Sequence, residues 1–455
     1  MSEYEEAIDI GELSKFIRRQ ESRAIKSLLK RFKPKDFPII IERLPKEDRL
    51  WLVSSLPDEI IKDFIAKLST PIIEEIVKEI DRNRLIKILS DLPADELSDI
   101  IGKLSSRDRK EILAVLPHWK LKEVGPLLAF PPTTAGGLMT NRIPIFYEGL
   151  DVGRVIEEWN VNTKFNVYDT NYYVYAVDRK GHLKGMINIK DLLVTPRNKK
   201  LSEIVSPPIA TVKPETDQED VAKIVARYDL LELPVVNGEN KLLGAVTIDD
   251  VIDVLLSESA EDLEKFGGLA RRITAPYLTA RITELVRKRA PWLVFLCILE
   301  SITANILHVF EGTLSTVIAL SFFIPLLVST GGNTGSQSAS FIIRALATGD
   351  VLISDIVKIL AKESTTSLLL GMILSPITFA IGWFIAGEIR IALLLSIAVI
   401  AIVFMASIIG GLLPLLAAKM KIDPPTISGP LIATISDVVG LTLYFVLAII
   451  IFGLG

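Results

Sequence analysis

Apolar positions follow three successive patterns along the chain. In the first, Leu44, Leu56, Leu68, Ile80, Leu92, Leu104 and Leu116 recur every twelve residues. Each is followed by Pro45, Pro57, Pro93 or Pro117, or by Ser69, Asp81 or Ser105 at the other steps. Proline suits a first helical turn and breaks a helix interior, so each step predicts the end of one short amphipathic helix and the start of the next. Stacked in a row, such helices give an all-α superhelical solenoid over residues 1–130, with an irregular helical bundle as the alternative. Either is a scaffold and not a catalytic centre.

After PPTTAGG the period shortens to that of strands. YYVYAVDRKGHLKGMINIKDLL and LELPVVNGENKLLGAVTIDDVI share one plan: apolar strand, polar turn, second strand, helix. Gly185 and Asp191 recur as Gly244 and Asp250, fifty-nine residues later in both cases. Two tandem α/β units, 131–200 and 201–257, resemble a CBS-domain pair. In that family the pair packs together and often senses an adenine nucleotide. The resemblance makes Thr247 and Asp250, with Gly244, candidates to hold ATP, whereas Asn188 stands where the first unit would carry Ser or Thr. Pairing with a purely structural role stays open beside it.

The third pattern is membrane-like. Apolar segments cover roughly 291–311, 314–343, 356–386, 391–418 and 427–453. A span of about 20 apolar residues crosses a hydrocarbon core of about 30 Å, so residues 291–455 predict a five-helix α transmembrane domain. Asp437 is the one charged residue after Ile427 and lies ten residues into its run, close to mid-membrane. A carboxylate there is costly unless it faces water, a cation or a partner, so it marks an ion path. Within the second segment, GGNTGSQSA places Gly331, Gly332 and Gly335 among the polar groups of Asn333, Thr334, Ser336, Gln337 and Ser338. Tight helix packing through small residues is one reading, and a polar wall beside Asp437 is the other. Oxygen-only chemistry suits a hard cation, with magnesium the natural candidate because it keeps much of its water.

Charge refines this picture. The net charge of −4 argues against nucleic acid as a partner, and the single Cys297 excludes an internal disulfide framework. The charged N-terminus predicts no cleavable signal peptide. No P-loop, HExxH or nucleophile elbow is present, which predicts that the chain is not an enzyme. Residues 249–264 hold seven acidic side chains and no basic one, predicting an acidic connecting helix within 249–290, or else only a solvated face. Arg271, Arg272, Arg281, Arg287, Lys288 and Arg289 follow, suited to anionic headgroups of a lipid bilayer. With Lys358, Lys362, Lys419 and Lys421, they put the N-terminal module on the cytoplasmic side of a multi-pass cell membrane protein and the C-terminus outside.

The order of these modules resembles the MgtE family of magnesium channels over essentially the whole length. The matching motifs are PWL at 291–293, Phe310-Glu311, GGNTGSQSA with IIRALATGD, and PLIATISDVVG around Asp437. The resemblance implies a homodimer with a central Mg2+ pore lined by Asp437, Ala433 and Thr434. It also implies an acidic plug helix (Asp253, Glu258, Glu261, Asp262, with Asp250) and a sensor stretch (Asp217, Glu219) where cytosolic magnesium closes the pore. Alternatives are transport of Co2+, Mn2+ or Ni2+, or a membrane-anchored nucleotide sensor. Two residues depart from the family pattern: Gly429, where some relatives carry Asn, and Glu300, where a small or apolar residue is expected. Glu300 is either a protonated acid bonded through Ser301, Thr303 or Asn305, or a second acidic station for the ion.

Overall fold

The computed structural model describes residues 10–19, 36–269, 277 and 280–453. It divides into two compact units, one running to Glu258 and the other taking up from Ser259 and containing all the membrane-type helices. Arg271 and Arg272 of the basic stretch and the first nine residues lie outside the described residues.

The twelve-residue repeat forms short helices, among them Lys46–Ser55, Thr70–Glu79, Arg82–Asp91 and Ala94–Lys103 (α1). The repeated apolar residue ends each helix in extended conformation: Leu44, Leu56 and Ile80 share φ −74° and ψ 146°. Proline sits one step earlier than expected, as the N-cap before the first turn (Pro45, Pro57, Pro93, Pro117). Its missing N–H costs nothing there, because that group would have no intrahelical partner. All seven junction side chains are buried, each worth about 1.5–3 kcal/mol of apolar burial. Helices two steps apart in the chain pack together, which is solenoid stacking.

Long cations satisfy the carbonyls left open at these junctions. Arg84 donates to Ser54 O at 2.6 Å and to Leu56 O, Arg49 to Leu44 O at 3.0 Å, Lys103 to Ala66 O at 2.8 Å, and Lys120 to Leu92 O. A cation at a helix C-terminus also opposes the macrodipole.

In the α/β region, β1 (Ile145–Tyr147) runs parallel to β2 (Tyr173–Val177), which pairs antiparallel with β3 (Leu183–Asn188). The second unit repeats this with β4 (Glu232–Val236) antiparallel to β5 (Leu242–Thr247) and a parallel bridge from Val212 to Val235. The fifty-nine-residue glycine repeat has a physical cause. A Cβ at Gly185 would stand 2.8 Å from Ser206 O, and one at Gly244 would stand 2.3 Å from Thr140 O. At each, the edge of a strand admits a segment that leads into the other unit, so the two units are interleaved. Helix α2 (Gln218–Tyr228) follows the second lead-in segment, and the connecting helix α3 (Ile248–Phe266) follows β5.

The second unit holds α4 (Ile282–Val309), α5 (Ile324–Ala347), α6 (Ile356–Ala386), α7 (Ile389–Lys419) and α8 (Gly429–Phe452), each long and apolar enough to cross a membrane. Helix α4 starts at Ile282, so Pro291 lies inside it and not at its start. Arg287, Lys288 and Arg289 therefore belong to its first turns, and Lys288 pairs with Glu284 at 2.9 Å. Helix α7 is the centre of the bundle, with α5, α6 and α8 packed on it. The closest crossing is Gly410 on Gly335, where a Cβ on Gly410 would lie 2.1 Å from Gly335 O. Among the buried residues of α4 only Thr303 is found, so one chain leaves that helix largely uncovered.

Candidate functional site

Helix α8 opens with Ser428 as N-cap and Pro430 in its first turn. Asp437 lies eight residues past its start, about 12 Å along the axis. Its side chain meets a cleft of about 370 Å3 lined by Val328, Ser329, Gly332, Asn333 and Ser336 of α5 and by Gly429, Pro430 and Ala433 of α8. Asp437 Oδ1 is buried with no hydrogen-bond partner among the described residues. A side chain at Gly332 would press on Ala433 Cβ at 3.1 Å and approach Asp437 Oδ1 at 3.8 Å, so glycine keeps the carboxylate reachable. Ser336 donates to Gly429 O at 3.2 Å, and Asn333 Nδ2 lies 3.4 Å from Ser329 Oγ. The cleft thus offers one carboxylate among neutral oxygens, a donor set for a cation that retains part of its hydration shell.

Asp437, Ala433 and Asn333 share this cleft, but Thr434 does not. Thr434 is buried and donates to Pro430 O at 3.1 Å. Residues 433 and 437 are one helical turn apart on one face, and 434 is turned about 100° away. Glu300 is exposed on α4 and within electrostatic reach of Asp437. The hydrogen-bonding alternative finds little support: Ser301 donates to Ile298 O at 2.6 Å and Asn305 to Ser301 O at 2.9 Å. Thr303 Oγ1 has no partner among the described residues.

The end of α3 meets the mouth of the same cleft. Lys265 pairs with Glu261 at 2.7 Å and Asp423 at 2.6 Å, and these two carboxylates, outweighing its partial desolvation, hold the ammonium well above the usual lysine range. A Cβ on Gly429 would lie 3.4 Å from the Phe266 ring, so the ring occupies the side of Gly429 where an Asn would project.

A different arrangement appears in the N-terminal unit. Asp95, Glu96 and Asp99 of α1 interact electrostatically with Asp250 of α3 and with Asp169. Burial, reinforced by these like charges, raises the Asp95 carboxyl to about 8, Glu96 to about 7 and Asp250 to about 7. Burial also raises Asp99 to about 6, against the opposing pull of Lys103. Asp95 Oδ1 is buried without a hydrogen-bond partner among the described residues. Asp250 accepts from Thr247 at 2.7 Å, and Asp169 from Thr140 at 2.6 Å. No three His, Cys, Asp or Glu side chains among the described residues stand together as a ready metal cage. The cluster holds an orphaned carboxylate oxygen beside carboxyls that burial, reinforced by like charge, keeps from ionising.

The other expected sensor residues are spread out and engaged. Asp253 pairs with Lys67 at 3.7 Å, Glu258 accepts from Gln218, and Asp262 also has a partner. Asp217 caps α2 by accepting from Glu219 N at 2.9 Å, and Glu219 pairs with Lys223 at 2.7 Å. Asp95, Glu96, Asp99 and Asp169 were absent from the sequence-based candidates.

A nucleotide-sized cleft of about 400 Å3 lies between the α/β units. It is lined by Tyr173, Asn188, Asp191, Pro207, Ala210, Leu230 and Glu232, among others, and neither Thr247 nor Asp250 contributes to it. Thr247 and Asp250 belong instead to the acidic cluster. Glu232 is buried, accepts from Tyr175 Oη at 2.6 Å and from Thr170, and has its carboxyl raised by burial.

Family models match three stretches: an MgtE intracellular N domain at 32–133, a CBS domain at 201–257 and a divalent cation transporter domain at 324–447. The magnesium transporter MgtE of Thermus thermophilus is 40% identical over 330 residues, 72% of each chain. That of Bacillus subtilis is 31% identical, covering 72% of this chain and 71% of its own. The crystal structure of the cytosolic domain of the Mg2+ channel MgtE in complex with ATP is 32% identical with a TM-score of 0.50, covering 54% of this chain and 99% of that one. With a helical repeat domain, CBS architecture and five membrane-type helices in this order, the chain belongs to the MgtE family of divalent cation transporters.

Proposed function

We propose that this protein is a homodimeric Mg2+ channel or transporter of the cytoplasmic membrane, importing Mg2+ past Asp437 and closed by Mg2+ on its cytosolic side. The observation that carries the reading is the buried Asp437 oxygen, without a hydrogen-bond partner among the described residues, facing a cleft between two membrane-type helices that also holds Ser329, Asn333 and Ser336. A carboxylate without a fixed cation partner attracts a divalent ion, and the neutral oxygens around it let a hydrated ion pass. The relatives named as magnesium transporters support Mg2+ as cargo over Co2+, Mn2+ or Ni2+. Helix α4, little buried within one chain, supports a dimer whose two clefts face a common axis. The basic residues of α4's first turns and of the α7–α8 connection support a cytoplasmic soluble unit and an external C-terminus.

For regulation, the acidic cluster is the sensor we favour. Mg2+ at Asp95, Asp99 and Asp250 would replace protons and relieve repulsion, favouring the compact arrangement by differential binding. ATP belongs at the cleft of Asn188 and Asp191, a reading supported by its size and by the ATP-bound relative. The test is Mg2+ flux into proteoliposomes carrying wild-type or Asp437→Asn protein, with Mg2+ titrated on the soluble-domain side. Flux lost in the variant and suppressed by that Mg2+ in wild type is the expected result; wild-type flux through a folded Asn variant would overturn it.

A further inference from the structure

Glu363 is a carboxylate inside a membrane-type helix, seven residues and roughly 10 Å past the start of α6. A charge-bearing side chain in that setting is costly without a partner and is a functional candidate by default. Its partner is Ser338 of α5, whose hydroxyl donates to Glu363 Oε2 and also lies 3.0 Å from the Ser407 carbonyl of α7. Ser338 and Ser407 are both buried. Helices α5 and α6 each pack on α7, and the Glu363 side chain crosses α7 at Gly411, where a Cβ would stand 3.3 Å from Glu363 Cγ and 3.7 Å from Ser338 Oγ. One carboxylate therefore ties three helices together at a single hydroxyl.

The tie lies behind the ion path. Glu363 and Ser338 do not line the Asp437 cleft, whereas Gly332, Asn333 and Ser336 of the same α5 do. Helix α5 is thus held from the α8 side by Ser336 on Gly429 and from the α7 side by Ser338. We propose that Glu363 is a positioning residue for the ion path: through Ser338 it fixes how far α5 stands from α8, and so the width of the cleft that a hydrated cation must enter. This rests on the ion-path reading above. The work is done by hydrogen bonding and not by charge, because Glu363 lies off the cleft and meets α5 through a hydroxyl.

The test uses full-length protein in proteoliposomes, with Mg2+ flux measured for Glu363→Ala, Glu363→Gln, Ser338→Ala and the Glu363→Ala/Ser338→Ala double variant beside Asp437→Asn. Removing this one hydrogen bond is expected to lower flux by up to about tenfold in Glu363→Ala. Glutamine keeps the length and a polar end, so Glu363→Gln should stay within about twofold of wild type. Ser338→Ala should match Glu363→Ala, and the double variant should lose no more than either, since both substitutions cut one connection. Wild-type flux in Glu363→Ala, equal losses in Gln and Ala variants, or additive losses in the double variant would each overturn the proposal. If Asp437→Asn also conducts as wild type, the ion-path reading itself has failed; if Asp437→Asn is silent while Glu363→Ala conducts normally, only the positioning role falls. Size-exclusion profiles of the purified variants separate a misfolded Glu363→Ala from a mispositioned one, with the Gln rescue deciding where the Ala variant aggregates.

Discussion

The two acidic regions of this chain solve opposite problems. In the N-terminal unit, burial, reinforced by like charges, raises the carboxyls of Asp95, Glu96 and Asp250 toward neutrality, and burial alone raises Asp99 beside them. In the membrane unit, Asp437 meets a cleft whose other linings carry no charge. Under the proposed sensor role, crowding would make the structure ion-dependent, because a divalent cation would relieve several repulsions at once. Under the proposed ion path, sparse charge would make a passage, because one carboxylate attracts an ion without trapping it. On the proposed function, a carboxylate's density of neighbours, more than its identity, would separate sensing from conducting.

The sharpest way to break this comparison is at the sparse end. Asp437→Ala should reduce Mg2+ flux by about a hundredfold or more, since the loss of a charge in a poorly hydrated passage is worth several kcal/mol. Radiometric or dye-based flux checks it, with Asp437→Asn separating charge from shape. Next, Asp95→Asn, Asp99→Asn and Asp250→Asn together should leave maximal flux intact but shift half-inhibition by soluble-side Mg2+ about tenfold higher. Unshifted inhibition would reduce the cluster to a scaffold contact.

A third expectation concerns protons. These carboxyls titrate above their ordinary values near 4, so the folded chain holds protons that the unfolded chain has released. Their contribution to stability is therefore greatest at low pH and falls as pH rises from about 4 to about 8. In Mg2+-free buffer the thermal midpoint should drop over that window, Mg2+ should restore it, and Asp95→Asn should flatten it by roughly 2–4 °C. The smallest effect belongs to the partly exposed Lys265–Asp423 pair. Lys265→Met should change stability by no more than about 1 kcal/mol while measurably easing opening, read as flux at intermediate Mg2+.

Much of this was legible in sequence, and the failures share one cause. The Leu-Pro period and the Gly185/Gly244 repeat are local signals, and each corresponds to a recurring backbone requirement. Asp437 stood out because nothing charged lies near it in the chain. Asp95 and Asp99 read as ordinary polar positions of an amphipathic helix, and only the fold brings them near Asp250, about 150 residues away. Glu363 drew no notice beside Lys358 and Lys362, though the fold turns it toward Ser338 of α5. Thr434 was carried by its neighbours' motif, when one step along a helix is enough to leave the cleft. Chain proximity reported chemistry well only where the partners were also close in sequence.

The uniform junctions of the solenoid have a mechanical consequence. Leu44, Leu56 and Ile80 repeat the same two dihedral angles, and a cation braces the carbonyls at several such steps. A chain of identical joints behaves as a coil spring: a few degrees added at every joint sum along the stack, while no single joint leaves its energy well. Such a stack would spread a bend over many small changes instead of concentrating it at one joint.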